Sequence, residues 1–593
     1  MTAAPSLARD AATIRVTGDG YTLQLAAQEF ARSPYAMLAD ASGRRWSRLS
    51  LLSSLHTVVA RDETWEILEP RVTETDGAVE IVIETRSSAW SIRELLITCT
   101  ADTVELTASA TGTGRLSDVL LLGGDGRLLT GAAGTFRSSI DAESLFVPVP
   151  TEPVQFVRPA HSAAVLGVVG DADPGRLNGI FSPPPLALGL GRAAATSPTE
   201  VPEGEWLGLS LRAPVEELRF TTLRYEPLDG GFLLRLSYEG HTAVNGRWHS
   251  PTVVLRPAAS GWGVLDDYRA DLVAHGYATD QAVAGPAWWS EPLFCGWGAQ
   301  VARGGAPAPD LATQQNYDQF LALLDDNDLD PGTIVIDDRW QQEYGTATPH
   351  LDRWPDLKGW IAEQHGKGRK VLLWWKAWDP AGIPVDECVT DAGGRTIAVD
   401  PGNPAYLRRL EQTVAALLGP DGLDADGFKI DFTQRAPSGQ SLTTSAGSRG
   451  SSAWGIAALH VLLKTMHDAA KSAKPDALVV VHAVHPSFGD TCDMVRTNDV
   501  LERDIHGTPV SVADQLRTRY EIVRRALPGK LIDTDQWPMP SRDEWLDYAR
   551  VQASLGVPAL YYVERINDDE PIGPEHLAVI GQTWRDYRER IAK

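Results

Sequence analysis

The sequence has little cysteine and no long apolar run. Its four cysteines lie far apart without a C-x-x-C pair, at positions Cys99, Cys295, Cys388 and Cys492. That pattern fits neither a disulfide framework nor a zinc site. No apolar stretch approaches the ~20 residues that span a bilayer, and the first residues lack a basic segment followed by an apolar one. We therefore expect a cytoplasmic protein without a membrane partner.

The charge balance excludes further classes of partner. The net charge of −24 argues against nucleic acid and against anionic membrane surfaces. A chain of 593 residues is too long for one core, so two or three domains are expected. Nineteen tryptophans is a high count; aromatic faces suit sugar rings, but tryptophan is also a common core residue, so the count alone does not decide between these roles.

The first 260 residues are rich in short β-segments. Segments such as Val79–Glu84 and Phe232–Tyr238 are β-rich, and Gly, Asp, Asn and Pro separate them at close intervals. Regular short strands with turn signals predict an antiparallel β-sandwich over 1–260. Residues 261–291 follow as a helical linker.

From residue 292 to 593 strands alternate with helices. We predict eight strands, at Pro292–Ala299, Thr333–Trp340, Lys370–Trp378, Gly427–Phe432, Ala477–Ala483, Met494–Asp499, Lys530–Asp535 and Ala559–Val563. Helices are predicted between most of them, for example at Asn316–Leu324, Pro404–Leu418, Ala453–Ala473, Gln515–Ala526 and Arg542–Leu555, and a last one at His576–Ile591. Eight such strands predict a catalytic (β/α)8 TIM barrel.

Two carboxylates at predicted strand ends carry the chemistry. Asp431 ends the fourth strand and Asp499 the sixth, and active sites of such barrels lie where strands end. Lys429 is two residues before Asp431, so both should point into the barrel, where a cation keeps the carboxylate ionised. A buried structural ion pair is the alternative. Asp431 could in turn raise the pKa of Asp499, as a general acid needs.

Other side chains are candidates for holding a substrate. Asp337 and Asp338 follow the second strand and could accept hydrogen bonds from sugar hydroxyls. Several aromatic residues near strand ends are candidates for the pocket wall or for packing, among them Trp297, Trp340 and Trp375.

Four further polar positions have competing interpretations. His485 is a candidate for hydrogen bonding to substrate, whereas His482 fits a structural role; a metal site formed by the two would need a third ligand. Asp533 and Asp535 on the seventh strand compete with Asp499 for the acid role, and substrate binding is the preferred interpretation of Asp535. No metal or organic cofactor is expected.

These residues together resemble clan D glycoside hydrolases, and family 36 in particular, the group of α-galactosidases and raffinose-synthase-like proteins. Three motifs carry the resemblance: Asp337-Asp338-Arg339-Trp340 after the second strand, Lys429-Ile430-Asp431 on the fourth, and Arg496-Thr497-Asn498-Asp499 on the sixth. The resemblance implies that Asp431 is the nucleophile and Asp499 the acid/base, and that a β-sandwich precedes the barrel. It also places Arg496 among the substrate-binding candidates.

Arg339 and Lys376 depart from the family's pattern. Arg339 stands where the resemblance leads us to expect glycine, and Lys376 lies where a glutamate-containing motif is usual. A guanidinium binds carboxylate, phosphate or sulfonate groups, so an anionic sugar is one hypothesis. The alternative is that Arg339 pairs with Asp337 or Asp338 and only reshapes the pocket.

The sequence therefore predicts a retaining α-glycosidase acting through a covalent glycosyl-enzyme, with α-galactosides or a related α-linked sugar as substrate. A small glycoside or an oligosaccharide would be its partner, and homo-oligomerisation is left open. One alternative is a raffinose-synthase-like enzyme that transfers the glycosyl group to another sugar. The other is a sugar-binding protein on a degenerate barrel.

Overall fold

The structure is a computed structural model of the chain, and it describes residues 4–127, 133–148, 164–167, 180–194, 200–228, 230–279, 285–448, 453–501, 503 and 509–592. Among the helices in these ranges, none combines the length and apolar character needed to cross a lipid bilayer.

The N-terminal part is a β-domain. Its strands form one hydrogen-bonded network with almost entirely antiparallel pairing. In the described ranges they are β1 Ser6–Arg9, β2 Thr13–Thr17, β3 Tyr21–Ala26, β4 Tyr35–Asp40, β5 Arg45–Ser50, β6 Ser54–Thr57, β7 Glu63–Ile67, β8 Arg71–Thr75, β9 Ala78–Ser87, β10 Ile92–Cys99, β11 Val104–Leu121, β12 Gly123–Arg127, β13 Ala133–Ile140, β14 Ser144–Phe146, β15 Ala164–Leu166, β16 Ala187–Gly191, β17 Glu203–Arg212, β18 Thr222–Leu228, β19 Gly231–His249 and β20 Thr252–Ser260.

Alternation of apolar and polar residues places the core of this domain. In β9, Val79, Ile81 and Ile83 are buried while the residues between them are partly exposed. Successive side chains of a strand point to opposite faces, so a strand with this pattern covers the core with one face. Helix α1 (Gly261–Ala274) then packs on the sheet. Its N-terminus is capped by the Ser260 side chain, which accepts a hydrogen bond from the Gly263 amide.

The C-terminal part is a parallel barrel of eight strands. In chain order they are β21 Leu293–Cys295, β22 Thr333–Ile336, β23 Lys370–Lys376, β26 Gly427–Asp431, β27 Leu478–Val481, β28 Met494–Arg496, β29 Leu531–Asp533 and β30 Ala559–Leu560, and a hairpin of β24 Cys388–Thr390 with β25 Thr396–Val399 follows β23. Strand β30 pairs with β21, and a bridge between Asp533 and Val557 joins it to β29. The predicted fold class, a β-rich domain followed by a TIM barrel, is therefore confirmed.

Helices surround the barrel. They are α2 Trp297–Arg303, α3 Gln314–Asp325, α4 Leu357–Gly366, α5 Pro404–Leu418, α6 Gly455–Ala473, α7 Val512–Ala526, α8 Arg542–Leu555 and α9 Pro574–Ile591. The first strand is shorter than predicted, because the chain turns at Gly296 into α2. A Cβ at Gly296 would lie 2.2 Å from the Tyr317 hydroxyl, so this close approach requires glycine.

One segment of the β-domain reaches the mouth of the barrel. We call residues 180–186 the docking segment; its side chains are buried. The Ser182 amide donates to the His482 carbonyl at 3.1 Å, and the Val484 amide donates to the Pro183 carbonyl at 2.8 Å. The Thr433 hydroxyl donates to the Ser182 carbonyl at 3.0 Å. These bonds fix the β-domain against the ends of β26 and β27.

Candidate active site

A cavity of about 350 Å³ opens at the carboxyl ends of the barrel strands. Such a volume lies near the lower end of the range for small-molecule sites. Charged side chains from β22, β26 and β28 form its floor, and aromatic and aliphatic side chains form its rim. The barrel thus brings together residues that are far apart in the sequence.

The floor begins with a buried ion pair between Lys429 and Asp337. The Lys429 Nζ lies 2.8 Å from Asp337 Oδ2, and both side chains are 4% exposed. The Cys295 thiol lies 2.9 Å from the same carboxylate oxygen. Burial disfavours the ammonium, but the Asp337 carboxylate outweighs it and holds the pKa of Lys429 well above its usual value. Lys429 therefore pairs with Asp337, which the sequence did not indicate.

Asp431 is held ionised mainly by another residue, Arg496. The Arg496 Nη2 donates to Asp431 Oδ1, Trp374 Nε1 donates to Oδ2 at 3.2 Å, and the Phe432 amide donates to Oδ1 at 2.7 Å. Burial alone would raise the pKa of Asp431, but the Arg496 guanidinium, helped by Lys429, holds it well below its usual range. Asp431 lines the cavity as an ionised carboxylate.

Asp499 has the opposite character. Its carboxyl lines the cavity, with 51% of the side chain exposed, and lies 3.4 Å from Arg496 Nη1. The pKa of Asp499 is raised to about 7. Desolvation is the main cause, the neighbouring carboxylates Asp535 and Asp431 add to it, and the charge of Arg496 opposes it. The site therefore holds one ionised carboxylate and one that titrates near neutral pH.

Asp533 and Asp535 lie beneath the cavity wall and do not line it. Asp535 is fully buried and accepts from Arg496 Nη1 at 2.6 Å. Asp533 is 2% exposed, and burial together with the charge of Asp535 raises its pKa to about 7 as well. The raised pKa alone does not decide which of Asp533 and Asp499 could act as a general acid. Access to the cavity does, because only Asp499 lines it. Asp535 orients Arg496, so the expected contact with substrate is not made.

The two unusual cations lie near the cavity but do not line it. Arg339 adopts a left-handed backbone conformation with φ of 80°, and its guanidinium lies 5.5 Å from the centre of the Tyr344 ring. Lys376 contacts Asp379 at 2.8 Å and lies 4.2 Å from the same ring. Tyr344 in turn donates to Asp338 at 2.7 Å. Arg339 and Lys376 thus support the residue that holds Asp338, and neither forms part of the cavity lining.

Asp338 itself lines the cavity next to Asp337. Desolvation raises the pKa of Asp338 to about 6, although the Tyr344 hydroxyl opposes the shift. Its carboxylate therefore still accepts hydrogen bonds at neutral pH, as the sequence suggested for a residue that binds hydroxyls.

The aromatic candidates divide by the direction of their side chains. Trp297 lines the cavity. Trp340 is fully buried and donates to the Trp374 carbonyl at 2.8 Å. Trp375 packs on Phe428 outside the barrel strands, with ring centres 5.8 Å apart, and Trp374 lines the cavity instead. Adjacent residues of a strand point to opposite faces, which corrects the expectation for Trp375, whereas Trp340 lies beyond the end of β22 and its side chain is packed inside the protein.

The two histidines are bound within the protein. His485 lies 2.7 Å from the Tyr268 hydroxyl and is 1% exposed, so the expected contact with substrate is not made. His482 lies 2.9 Å from the Thr433 hydroxyl and 3.3 Å from the Ile180 carbonyl. Burial lowers the pKa of His482 to about 4, so its ring is neutral at neutral pH. Among the described residues, no three potential ligands are placed to hold a metal ion.

Several residues that line the cavity were not among the sequence candidates, and three of them are notable. Gln434 is 8% exposed, and its Oε1 has no hydrogen-bond partner among the described residues. The Tyr561 hydroxyl, at the end of β30, is likewise without a partner there. Ile180 comes from the docking segment. Buried polar atoms are normally hydrogen-bonded, so Gln434 and Tyr561 have the character of groups that bind a ligand.

Four residues just beyond barrel strands adopt left-handed backbone conformations that side chains other than glycine rarely adopt. They are Arg339, Trp378, Phe432 and Asn498, with φ of 80°, 71°, 58° and 66°. Such conformations cost of order 1 kcal/mol or more each and concentrate at functional sites. At Asn498 the side chain donates to the Ile180 carbonyl, which fixes the turn that leads to Asp499.

No protein-family model matches this sequence, and no curated protein matches it. Solved structures with a similar fold exist. A GH31 family sulfoquinovosidase from E. rectale, in complex with the aza-sugar inhibitor IFGSQ, superposes with a TM-score of 0.57 at 11% identity, over 98% of this chain and 82% of that one.

Two α-galactosidases are similar to a comparable degree. The GH36 α-galactosidase AgaB from Geobacillus stearothermophilus has a TM-score of 0.52 at 12% identity, over 99% of this chain and 86% of that one. The α-galactosidase from Lactobacillus brevis has a TM-score of 0.51 at 11% identity, over 97% and 83%. At such identities the likeness shows a shared fold, that of glycoside hydrolases of families 31 and 36.

Proposed function

We propose that the protein is a retaining α-glycoside hydrolase in which Asp431 is the nucleophile and Asp499 the acid/base. The observation that carries the proposal is the position of Arg496 between them. It contacts Asp431 through one terminal nitrogen and Asp499 through the other. The pKa of Asp431 lies below the usual range and that of Asp499 at about 7, as a nucleophile and a general acid require.

The reaction then runs in two displacements. The Asp431 carboxylate attacks the anomeric carbon, and the bond to the leaving oxygen breaks as Asp499 gives that oxygen its proton. Asp499, now ionised, takes a proton from water, which attacks the anomeric carbon and releases Asp431. The indole of Trp374 and the guanidinium of Arg496 keep the carboxylate of Asp431 oriented throughout.

The sugar is proposed to be neutral, with α-galactosides in first place. Asp337 and Asp338 offer carboxylate oxygens to hydroxyl groups at the floor of the cavity. The cations that suggested an anionic sugar, Arg339 and Lys376, lie outside the lining, and Lys376 already pairs with Asp379. The similar structures include both α-galactosidases and a sulfoquinovosidase, so the choice of sugar rests on the cavity alone.

The experiment is a screen of p-nitrophenyl α-glycosides with the purified protein, followed by NMR of the first product. If the α-anomer is released first and only later equilibrates with the β-anomer, the retaining mechanism is supported. Release of the β-anomer would contradict it. Products longer than the substrate would favour glycosyl transfer, and binding without turnover of any glycoside would favour a sugar-binding protein.

A further inference from the structure

The cavity wall beside Asp499 is apolar. Ile180, Leu501 and Trp537 line it on this side. They are tied to the residues around Asp499, because Asn498 Nδ2 donates to the Ile180 carbonyl, the Val500 amide donates to the Trp537 carbonyl at 2.9 Å, and Leu501 lies two residues further on. The acid/base is therefore flanked by two aliphatic side chains and an indole.

Two side chains described on this wall carry polar atoms, Asn498 and Trp537. The amide nitrogen of Asn498 is committed to the Ile180 carbonyl. The indole nitrogen of Trp537 is buried and, like Gln434 Oε1, has no hydrogen-bond partner among the described residues, so it is one donor that this wall could offer. Gln434, with its free oxygen, belongs to the turn that follows Asp431 and so to the nucleophile's side. The charged groups of the site lie on the floor instead.

A general acid must lie within hydrogen-bond reach of the leaving oxygen. The group attached to that oxygen must therefore extend along the wall next to Asp499. A second sugar would present several hydroxyls to Ile180, Leu501 and Trp537, and of these three side chains only the Trp537 indole has a hydrogen-bond donor to offer. An alkyl or aryl group would instead exchange water for apolar contact.

We infer that the leaving-group subsite, formed by Ile180, Leu501 and Trp537, takes an alkyl or aryl aglycone in preference to a second sugar. The cavity of about 350 Å³ has room for one sugar and a small aglycone. The inference rests on the proposed function and adds the chemical class of the group that is released. It also assigns a role in specificity to Ile180, a residue of the β-domain.

The test uses glycosides of one sugar, the best one from the screen, with methyl, ethyl, propyl and butyl aglycones. Ethyl, propyl and butyl alcohols leave with nearly equal ease, so their kcat/KM values compare binding in the transition state. We expect kcat/KM to rise about fourfold per added methylene until the wall ends. The propyl glycoside should also exceed the glyceryl glycoside, which has three carbons but carries hydroxyls.

Ile180→Ala should reduce the increment per methylene to about twofold or less, since it removes apolar contact but leaves the backbone carbonyl that holds Asn498. Ile180→Val should retain most of the increment. Leu501→Ala provides a second variant should Ile180→Ala fold poorly. Val59→Ala, at a β-domain side chain that is 88% exposed, is the matched control and should leave the increment unchanged.

Turnover of the methyl glycoside with no rise along the series would overturn the inference while leaving the proposed function intact. The same holds if the glyceryl glycoside exceeds the propyl one, or if a disaccharide of the same sugar exceeds the butyl glycoside. Absence of turnover for every glycoside would overturn the proposed function, and the inference with it.

Discussion

Asp431 and Asp499 contact the same guanidinium, Asp431 at Nη2 of Arg496 and Asp499 at Nη1. The two carboxyl groups therefore share one positive charge, and they share it unequally. Asp431 makes the shorter contact and stays ionised, whereas Asp499 lies at 3.4 Å and keeps a pKa of about 7. The protonation states of the two groups are coupled through Arg496.

Asp431→Asn should retain the fold and lower kcat by about 10³-fold or more, because a neutral amide does not attack the anomeric carbon. Thermal unfolding would report the fold, and steady-state rates on an activated aryl glycoside the loss. Azide should partly restore turnover by Asp431→Gly and give a glycosyl azide of inverted configuration. A kcat near that of the unmodified enzyme would remove Asp431 from the nucleophile's role.

The pH profile should follow the two carboxyl groups. Asp499 must be protonated to act as acid, so kcat/KM should fall about tenfold per pH unit above pH about 7. Asp431 must be ionised, and its pKa is lowered, so the acid limb should begin only below the usual carboxyl range of about 4.

Asp499→Ala should abolish the basic limb for an activated aryl glycoside and slow alkyl glycosides far more than aryl ones. Asp533→Asn is the matched control, because the pKa of Asp533 is also raised to about 7 although the residue lies beneath the wall. If Asp533→Asn removed the basic limb and Asp499→Ala kept it, the acid would have to be reassigned.

Gln434→Leu should lower kcat/KM by about tenfold to a hundredfold and leave the free energy of unfolding unchanged or slightly higher. Its Oε1 is buried without a partner among the described residues, so the folded enzyme loses no hydrogen bond while the complex loses one. Gln364→Leu in α4 is the control, since Gln364 also has a buried, unpartnered Oε1 but lies outside the cavity. Equal effects of the two variants on kcat/KM would argue against substrate contact by Gln434.

Arg339→Gly should leave the ranking of neutral over acidic α-glycosides unchanged. The substitution removes the contact of the guanidinium with the Tyr344 ring, but glycine adopts the φ of 80° with less strain than arginine. Because these two effects oppose each other, the free energy of unfolding should change by less than about 1 kcal/mol. Relative kcat/KM and urea unfolding would measure both effects. Lys464→Ala, on the exposed face of α6, controls for the loss of one positive charge. A selective loss of more than tenfold on acidic glycosides would identify Arg339 as an anion receptor.

The sequence predicted the barrel because each of its strands is a short apolar run that ends in polar residues. Asp431, Asp337 and Asp338 were found at strand ends and line the cavity. One error was avoidable. Trp375 and Lys376 were both named as candidates for the pocket, although neighbours on a strand face opposite ways. The register of Lys376 with Asp431 turns Trp374 inward.

Other residues had no signal that a single sequence carries. Ile180 lies more than a hundred residues before the first barrel strand, and only the packing of two domains brings it to the cavity. Gln434 lies past the end of β26, where alternation no longer applies. The pairing of Lys429 with Asp337 depends on which strands are neighbours across the barrel interior, and spacing along the chain does not specify it.

Under the proposed function, the docking segment makes the catalytic unit larger than the barrel. Because the Ile180 carbonyl holds Asn498 and the Ile180 side chain closes one wall, a gene fragment starting at the first barrel strand would encode an enzyme with an incomplete mouth. A foreign β-domain would replace Ile180 and so change one part of the proposed wall, while Leu501 and Trp537 would remain. Selection on the released group would then act on both domains, while selection on the sugar would act on the barrel.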